Sequence, residues 1–217
     1  MTLGCMRIAI VEDEQLFREA LRALCTSKLG LEVVGEAGTG AEALKVVPQA
    51  VPDLLVLDIN LPDMDGFSVL QILRQKRALL KALLISSFFD EYTLSRIEHA
   101  SVQGFIHKST STLADLGAAV GAIGQGSTYF PANYIDARRA HGRNPTAFDK
   151  MLTDREQTVL GLVGEPLSDA EIAAHLDLSQ ETVEKHRFNI MRKLGLRSRA
   201  ESARYARRCG LTRPPAK

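Results

Sequence analysis

Five polar side chains in the first half of the sequence stand at or just after the ends of short apolar runs: Glu12, Asp13, Asp58, Ser86 and Lys108. Carboxylates that lie close together repel one another, and a bound hard cation keeps them ionised. Because no His or Cys is among these residues, oxygen ligands favour Mg²⁺ (or Mn²⁺) over zinc. An Asp beside such a cation can act as a nucleophile and accept a phosphoryl group, while a Lys amine and a Ser hydroxyl donate to the phosphoryl oxygens. Asp58 is our candidate nucleophile.

The elements that must position these side chains are strands and helices in alternation. Apolar, strand-like runs occupy 7–11, 31–37, 53–58, 81–86 and 104–108. Each is followed by a segment with apolar residues at three- and four-residue spacing, which is typical of an amphipathic helix. This pattern predicts an α/β fold, a doubly wound five-stranded parallel sheet with helices on both faces. Ligands of such sheets bind beyond the carboxyl ends of the strands, so we expect the five polar side chains to meet there.

Other polar residues near Asp58 have simpler interpretations. Asp63 and Asp65 lie near Pro62 and Gly66, so we interpret them as turn and helix-cap residues. Asn60 could lend its backbone carbonyl to the metal. Glu12 and Asp13 could instead only open a helix and favour its dipole, and Ser86 and Lys108 could be ordinary surface residues.

The second half of the chain differs in charge and pattern. Residues 1–127 carry 11 Lys and Arg against 15 Asp and Glu, whereas 128–217 carry 16 against 11. An acidic front and a basic tail suggest two domains, the second facing a polyanion, although a charge run is often only a solvated face. We predict domains over 1–128 and 151–217, joined by a linker over 129–150 that lacks clean periodicity and is helical at most in part.

Helix-start signals mark the second domain as small and all-α. Capping boxes, a hydroxyl residue followed three later by Glu, occur at 153–156, 168–171 and 198–201, and Ser179 is a good N-cap. Gly195 stands where a C-cap glycine belongs. Short helices with only "LDL" between the second and third predict a helix-turn-helix.

The helix after Ser179 has two distinct faces. On a helical wheel, Val183, Ile190 and Leu194 form one buried stripe. Glu181, Lys185, Phe188 and Arg192 fall opposite, with Glu184 and Asn189 beside them. Phe188, an aromatic residue on a polar face, could contact a thymine methyl in a major groove or pack on a neighbouring subunit or side chain.

Other features of the sequence narrow the class of protein. No apolar run approaches the roughly 20 residues that span a bilayer, and the start lacks a signal peptide's layout, so we expect a cytoplasmic protein without membrane contact. The three cysteines, Cys5, Cys25 and Cys209, form no CxxC pair. Buried or surface thiols are therefore expected rather than a disulfide or zinc site.

Residues 6–127 resemble the receiver domain of bacterial response regulators, which has a flavodoxin-like fold. The resemblance lies in "VEDE", "LDINLPDMDG", "LLISS" and "GFIHK", in that order. It implies that Asp58 is the phosphoacceptor and that Glu12 and Asp13 are the metal acids. It further implies that Ser86 is the switch hydroxyl and Lys108 the phosphate-sensing lysine. Phe105 is either the switch aromatic or plain core.

Residues 152–201 resemble the LuxR-type helix-turn-helix, and the two resemblances together indicate the NarL/FixJ group of two-component transcription regulators. The implied function is a DNA-binding regulator, phosphorylated by a partner sensor histidine kinase and dimeric when active. The implied recognition helix is 180–194, entering the major groove of double-stranded DNA. Glu184 stands where the family often has Lys. The candidate DNA-binding residues are Thr182, Glu184, Lys185, Arg187, Phe188, Asn189, Arg192, Lys193, Arg197 and Arg199.

Two other functions fit parts of the sequence. An Asp nucleophile with Mg²⁺ also suits a phosphohydrolase, but such enzymes often carry a second Asp two residues later, where this chain has Asn60. A DNA-binding or scaffold protein with a silent receiver is the other alternative, and the complete set of acids with Lys108 argues against it.

Overall fold

The computed structural model describes residues 6–212, so Cys5 and the outermost residues of both predicted domains lie outside the described part. The chain forms two compact units. Among the described residues, one contains 6–89 together with 96–135, and the other contains 90–95 together with 136–212.

The first unit contains a five-stranded parallel sheet in the order β2-β1-β3-β4-β5. The strands are β1 (Arg7–Val11), β2 (Glu32–Ala37), β3 (Leu54–Asp58), β4 (Lys81–Ser86) and β5 (Gly104–His107). The helices that follow them are α1 (Gln15–Ser27), α2 (Gly40–Ala50), α3 (Gly66–Lys76), α4 (Glu91–His99) and α5 (Leu113–Gly124). The predicted doubly wound five-stranded parallel sheet is confirmed.

The central strand β3 explains how an apolar run carries an acid at its end. All five of its residues are buried, because β1 and β4 pair with it on either side and helices cover both faces. The chain then turns back towards α3, and Gly66 permits a close approach. A Cβ at Gly66 would lie 2.3 Å from the backbone oxygen of Asp58.

The second unit is helical. Its later helices are α8 (Asp154–Val163), α9 (Asp169–Leu176), α10 (Gln180–Leu194) and α11 (Arg199–Cys209). Their apolar faces form one core that includes Val159, Ile172, Val183 and Ile190. Only three residues separate α9 from α10, which matches the predicted helix-turn-helix.

The predicted helix caps are mostly present. Thr153 and Ser168 each form a reciprocal capping box with the Glu three residues later. Ser198 accepts from the backbone of Glu201, but the Glu201 carboxylate bonds to the N–H of Arg197 instead of Ser198. The third capping box is therefore incomplete, because its second hydrogen bond comes from the backbone N–H of Arg197, one residue before the N-cap. Gly195 adopts the left-handed conformation expected of a C-cap, with φ of 66°.

The segment predicted as a linker contains regular structure. Helix α6 covers Ala132–Arg143 and a short α7 covers Phe148–Met151. The backbone of Tyr129 also bonds to β5 residues at the edge of the sheet.

Cys25 and Cys209 are free, buried thiols. Burial raises the pKa of Cys25 to about 11, so this thiol is protonated and unreactive at neutral pH. Among residues 6–212, no helix combines the length and apolarity needed to cross a bilayer.

Candidate phosphoacceptor pocket and nucleic-acid interface

Lys108 joins two of the predicted acids at the carboxyl edge of the sheet. Its Nζ lies 2.7 Å from an oxygen of Glu12 and 2.7 Å from an oxygen of Asp58. The three residues come from the ends of β1, β3 and β5, which the parallel sheet brings side by side. Glu12 and Asp58 are buried, at 0% and 2% exposure, and the ring of Phe17 lies beneath the Lys108 ammonium at 5.0 Å.

Burial dominates the electrostatics of this pocket. Burial and, after it, the neighbouring charge of Asp58 raise the pKa of Glu12 to about 7, although Lys108 acts against both. Burial also raises the pKa of Asp58, and here too the Lys108 charge opposes the change. For Lys108, burial would lower the pKa, but the two carboxylates outweigh it and raise the pKa. The Lys108 ammonium therefore favours the charged form of both carboxylates, and the carboxylates favour the charged form of Lys108.

The pocket fits a divalent cation by its ligand chemistry. One carboxylate oxygen each from Glu12, Asp13 and Asp58 lie within 4.8 Å of one another. Three carboxylates and the Lys108 ammonium leave two negative charges for a divalent ion to balance. The second oxygen of Glu12 is buried and has no hydrogen-bond partner among the described residues, so it is available as a ligand.

Asn60 connects the candidate phosphoacceptor Asp58 with Ser86 through hydrogen bonds that the sequence did not predict. Its backbone N–H donates to Asp58 Oδ1 at 3.0 Å, and its side-chain amide donates to Ser86 Oγ at 3.3 Å. The Phe88 backbone N–H also donates to Ser86 Oγ, at 3.0 Å. The Ser86 oxygen therefore accepts two bonds, and its own proton remains available for donation. The predicted role of the Asn60 carbonyl stays a prediction.

The remaining acids of the loop serve the fold. Asp65 is the N-cap of α3 and forms an ion pair with Arg96. Asp63 accepts from the backbone N–H groups of Gly40 and Ala41 at 2.7 and 2.8 Å, so it caps α2 across the fold. Sequence reasoning placed both as turn or cap residues but could not show that Asp63 caps an earlier helix.

Helix α10 presents the two predicted faces. Val183 and Ile190 are buried at 0% and 1%, whereas Phe188 is 65% exposed. Half of the ten candidate DNA-binding residues are exposed: Glu184, Lys185, Phe188, Arg192 and Arg197. The other half are partly buried: Thr182, Arg187, Asn189, Lys193 and Arg199.

Three of the partly buried candidates are cations with partners inside their own domain. Arg187 and Arg199 both pair with Asp169 at the start of α9. Lys193 pairs with Glu156 of α8 at 2.6 Å. The phosphate contacts predicted for these three residues compete with ion pairs that hold the helices together. Sequence periodicity could not reveal this, because it cannot show which carboxylates face α10.

Comparison with known families agrees with this division. Residues 8–120 match the response regulator receiver domain, and residues 150–206 match the bacterial regulatory proteins of the luxR family. The fold and the acidic pocket define a receiver, and the basic helix-turn-helix defines a regulatory domain. The chain belongs to the response regulators that join a receiver to a luxR-type helix-turn-helix, a family of DNA-binding transcription regulators and not of enzymes.

Full-length relatives support the same assignment. The chain is 32% identical to the DNA-binding transcriptional activator DevR/DosR of Mycobacterium tuberculosis, over 97% of this chain and 98% of the relative. It is 28% identical to the response regulator protein VraR of Staphylococcus aureus, over 93% of this chain and 96% of that one. Both relatives span both domains.

A solved structure shows the same fold. RcsB from Salmonella enterica serovar Typhimurium, bound to promoter P1flhDC in the presence of the phosphomimetic BeF3⁻, matches with a TM-score of 0.67. The match covers 93% of this chain and 98% of that chain at 22% identity. At this identity the comparison concerns the fold.

Proposed function

We propose that this protein is a phosphorylation-switched, DNA-binding transcription regulator that accepts a phosphoryl group on Asp58 from a sensor histidine kinase. The observation that carries the proposal is the buried Asp58 carboxylate at the end of β3, bonded to Lys108 and within 4.8 Å of the Glu12 and Asp13 oxygens. A structural acid would not need two further carboxylates and a buried ammonium around it.

The transfer step uses these groups in simple roles. A carboxylate oxygen of Asp58 forms the bond to phosphorus while the bond from phosphorus to the kinase's histidine nitrogen breaks. The imidazole keeps that electron pair. Glu12, Asp13, Asp58 and the backbone carbonyl of Asn60 would hold Mg²⁺ (or Mn²⁺), which neutralises charge on the transferring oxygens when bound.

Lys108 and Ser86 then respond to the new phosphoryl group. The Lys108 ammonium already lies 2.7 Å from Asp58, so a small movement brings it to a phosphoryl oxygen. Ser86 donates the proton that its present bonds leave unused. Both movements favour an active conformation that the unphosphorylated protein visits less often.

The active protein binds double-stranded DNA through α10. We propose that Lys185, Arg192 and Arg197, which are exposed, contact phosphates. Glu184 and Phe188 face base edges, where a carboxylate accepts from a cytosine amine and an aromatic ring contacts a thymine methyl. Thr182 and Asn189 add polar contacts. A homodimer would bind two half-sites of the DNA. We place the protein in the cytoplasm, without membrane contact.

A DNA-binding titration with and without beryllofluoride and Mg²⁺ tests the proposal, after selection of bound sequences to supply the DNA. We expect tighter binding with beryllofluoride in the wild type and no change in Asp58→Asn. Asp63→Asn, on the same loop, is the matched control and should keep the response. Equal affinity in all conditions would support a silent receiver and overturn the phosphorylation switch.

Uptake of phosphate is measured separately with a phosphodonor. Asp58→Asn should take up none, whereas Asp63→Asn should label as the wild type does. Rapid, steady turnover of an added phosphoester would favour the phosphohydrolase instead. We expect slow self-dephosphorylation at most, because the residue two positions after Asp58 is Asn60, whose amide bonds to Ser86.

A further inference from the structure

Tyr134 is buried although it lies in the segment that the sequence predicts as a linker. It is the third residue of α6 and is only 2% exposed, among the largest fully buried side chains of the described residues. An aromatic residue in a flexible connection would be exposed, so this burial calls for an explanation.

Three other aromatic rings surround Tyr134. Phe105 lies 6.0 Å away, Phe89 lies 5.9 Å away, and Phe130 stacks on it at 4.6 Å. Phe89 and Phe105 are also in contact with each other, at 5.5 Å. We name these four residues the aromatic cluster. Its spacing lies within the range for favourable aromatic pairs.

The aromatic cluster begins next to the phosphoacceptor pocket. Phe89 stands three residues after Ser86, and the turn between them is closed by the bond from the Phe88 N–H to Ser86 Oγ. Phe105 lies on β5, one strand from Ser86 and three residues before Lys108. Each residue that would respond to a phosphoryl group therefore lies three residues along the chain from a ring of the cluster.

The cluster also holds the start of α6 against the sheet. The backbone oxygen of Tyr129 accepts from Phe105 at 3.1 Å, and the Tyr129 N–H donates to Gln103 at 2.9 Å. Residue 129 thus pairs with β5, and α6 starts three residues later, at Ala132. Helix α6 then continues to Arg143 and leads along the chain towards the DNA-binding domain.

We infer that Tyr134 is a positioning residue of the switch, which converts repacking of Phe89 and Phe105 into displacement of α6. This inference rests on the proposed function. When Ser86 turns towards a phosphoryl group, the turn at 87–89 and its ring must adjust. Close-packed rings have no free space to absorb such a movement, so the Tyr134 ring moves with them. Phe105 has no hydroxyl, and packing alone carries the signal.

Two substitutions at Tyr134 test the inference through the ratio of DNA affinities with and without beryllofluoride. Coupling between two sites commonly corresponds to about 5- to 150-fold in affinity. We expect Tyr134→Leu to reduce the wild-type ratio to below about twofold, and Tyr134→Phe to preserve it, because the ring is the coupling element. Labelling of Asp58 by a phosphodonor should persist in both.

Ile135→Ala is the matched control, since Ile135 is the next residue of α6 and is 39% exposed. It should keep the full ratio. Loss of thermal stability in Tyr134→Leu with an unchanged ratio would show a structural role only and would overturn the inference. An unchanged affinity of the wild type with beryllofluoride would instead refute the proposed function itself.

A spectroscopic test does not depend on the folding of Tyr134→Leu. The chain contains no Trp, so Tyr134→Trp places the only Trp of the variant in the aromatic cluster. Its emission should shift when beryllofluoride and Mg²⁺ are added, and Asp58→Asn should abolish that shift. Constant emission in a Tyr134→Trp protein that still gains DNA affinity would overturn the inference.

Discussion

The exposed and the internally paired cations of the DNA-binding domain should differ in how they affect the salt dependence of DNA binding. Lys185, Arg192 and Arg197 are exposed, whereas Arg187, Lys193 and Arg199 pair with carboxylates of their own domain. Only a cation that neutralises a phosphate releases counterions from DNA. Substitution of the three exposed cations with Gln should therefore flatten the salt dependence.

The size of the effect follows from the number of contacts. Each phosphate contact contributes about 0.9 to the slope of log K against log salt, so three contacts contribute about 2.7. Between about 50 and 200 mM salt, the wild type should therefore lose about 40-fold more affinity than the triple variant. Fluorescence anisotropy over a salt series with a labelled operator measures both slopes.

A matched pair of single variants isolates the structural argument. Lys185→Gln and Lys193→Gln make the same chemical change on the same helix, but only Lys193 bonds to a carboxylate, at 2.6 Å from Glu156. Lys185→Gln should reduce the loss of DNA affinity between about 50 and 200 mM salt by about 3.5-fold. Lys193→Gln should leave that loss unchanged and should lower the free energy of unfolding. Equal slopes for the two variants would refute the division into exposed and internally paired cations.

Three further predictions concern the receiver. Gly66→Ala should lower the free energy of unfolding by about 1–3 kcal/mol in a urea titration, because its Cβ would lie 2.3 Å from the Asp58 backbone oxygen. A variant as stable as the wild type would show that the close approach is not needed. Asp63→Ala should cost about 0.5–2 kcal/mol at neutral pH, because it removes the carboxylate that accepts from two N–H groups at the start of α2, where Thr39 is the N-cap. Burial alone would raise the pKa of Asp63, but the N–H groups of Ala41 and Gly40 outweigh it and lower the pKa. The difference between Asp63→Ala and wild type should therefore be present above the usual Asp pKa and shrink as the pH falls below it. A difference that is equal at pH 7 and pH 3 would contradict the cap. Asp13→Asn should weaken Mn²⁺ binding in calorimetry by at least about tenfold, which corresponds to about 1.4 kcal/mol. Unchanged Mn²⁺ binding would remove Asp13 from the ligand set. The free energy of unfolding of the variant without Mn²⁺ serves as the control.

Much of the receiver could be predicted from local patterns. Five apolar runs alternate with helical segments, and parallel strands must align their carboxyl ends. That rule alone predicted that Glu12, Asp58 and Lys108 would meet, which the 2.7 Å contacts confirm. Turn chemistry likewise placed Asp65 as a helix cap.

Contacts between residues far apart in the chain could not be predicted in this way. The Asp63 cap of α2 and the bond from Asn60 to Ser86 join groups 22 or more residues apart. The partner of such a polar group depends on which elements become neighbours and at what angle. Composition and periodicity carry no information on that angle.

The sequence by itself determined the class of each domain, the edge of the sheet where the candidate site lies and the buried face of α10. Periodicity decides which face of an element is apolar, because side chains at helical or strand spacing share one face whatever the element packs against. Only the tertiary structure decided that Arg187 and Lys193 are paired while Lys185 is exposed, and that Tyr134 is core rather than linker. Those outcomes depend on packing between elements, which no single segment of the sequence encodes.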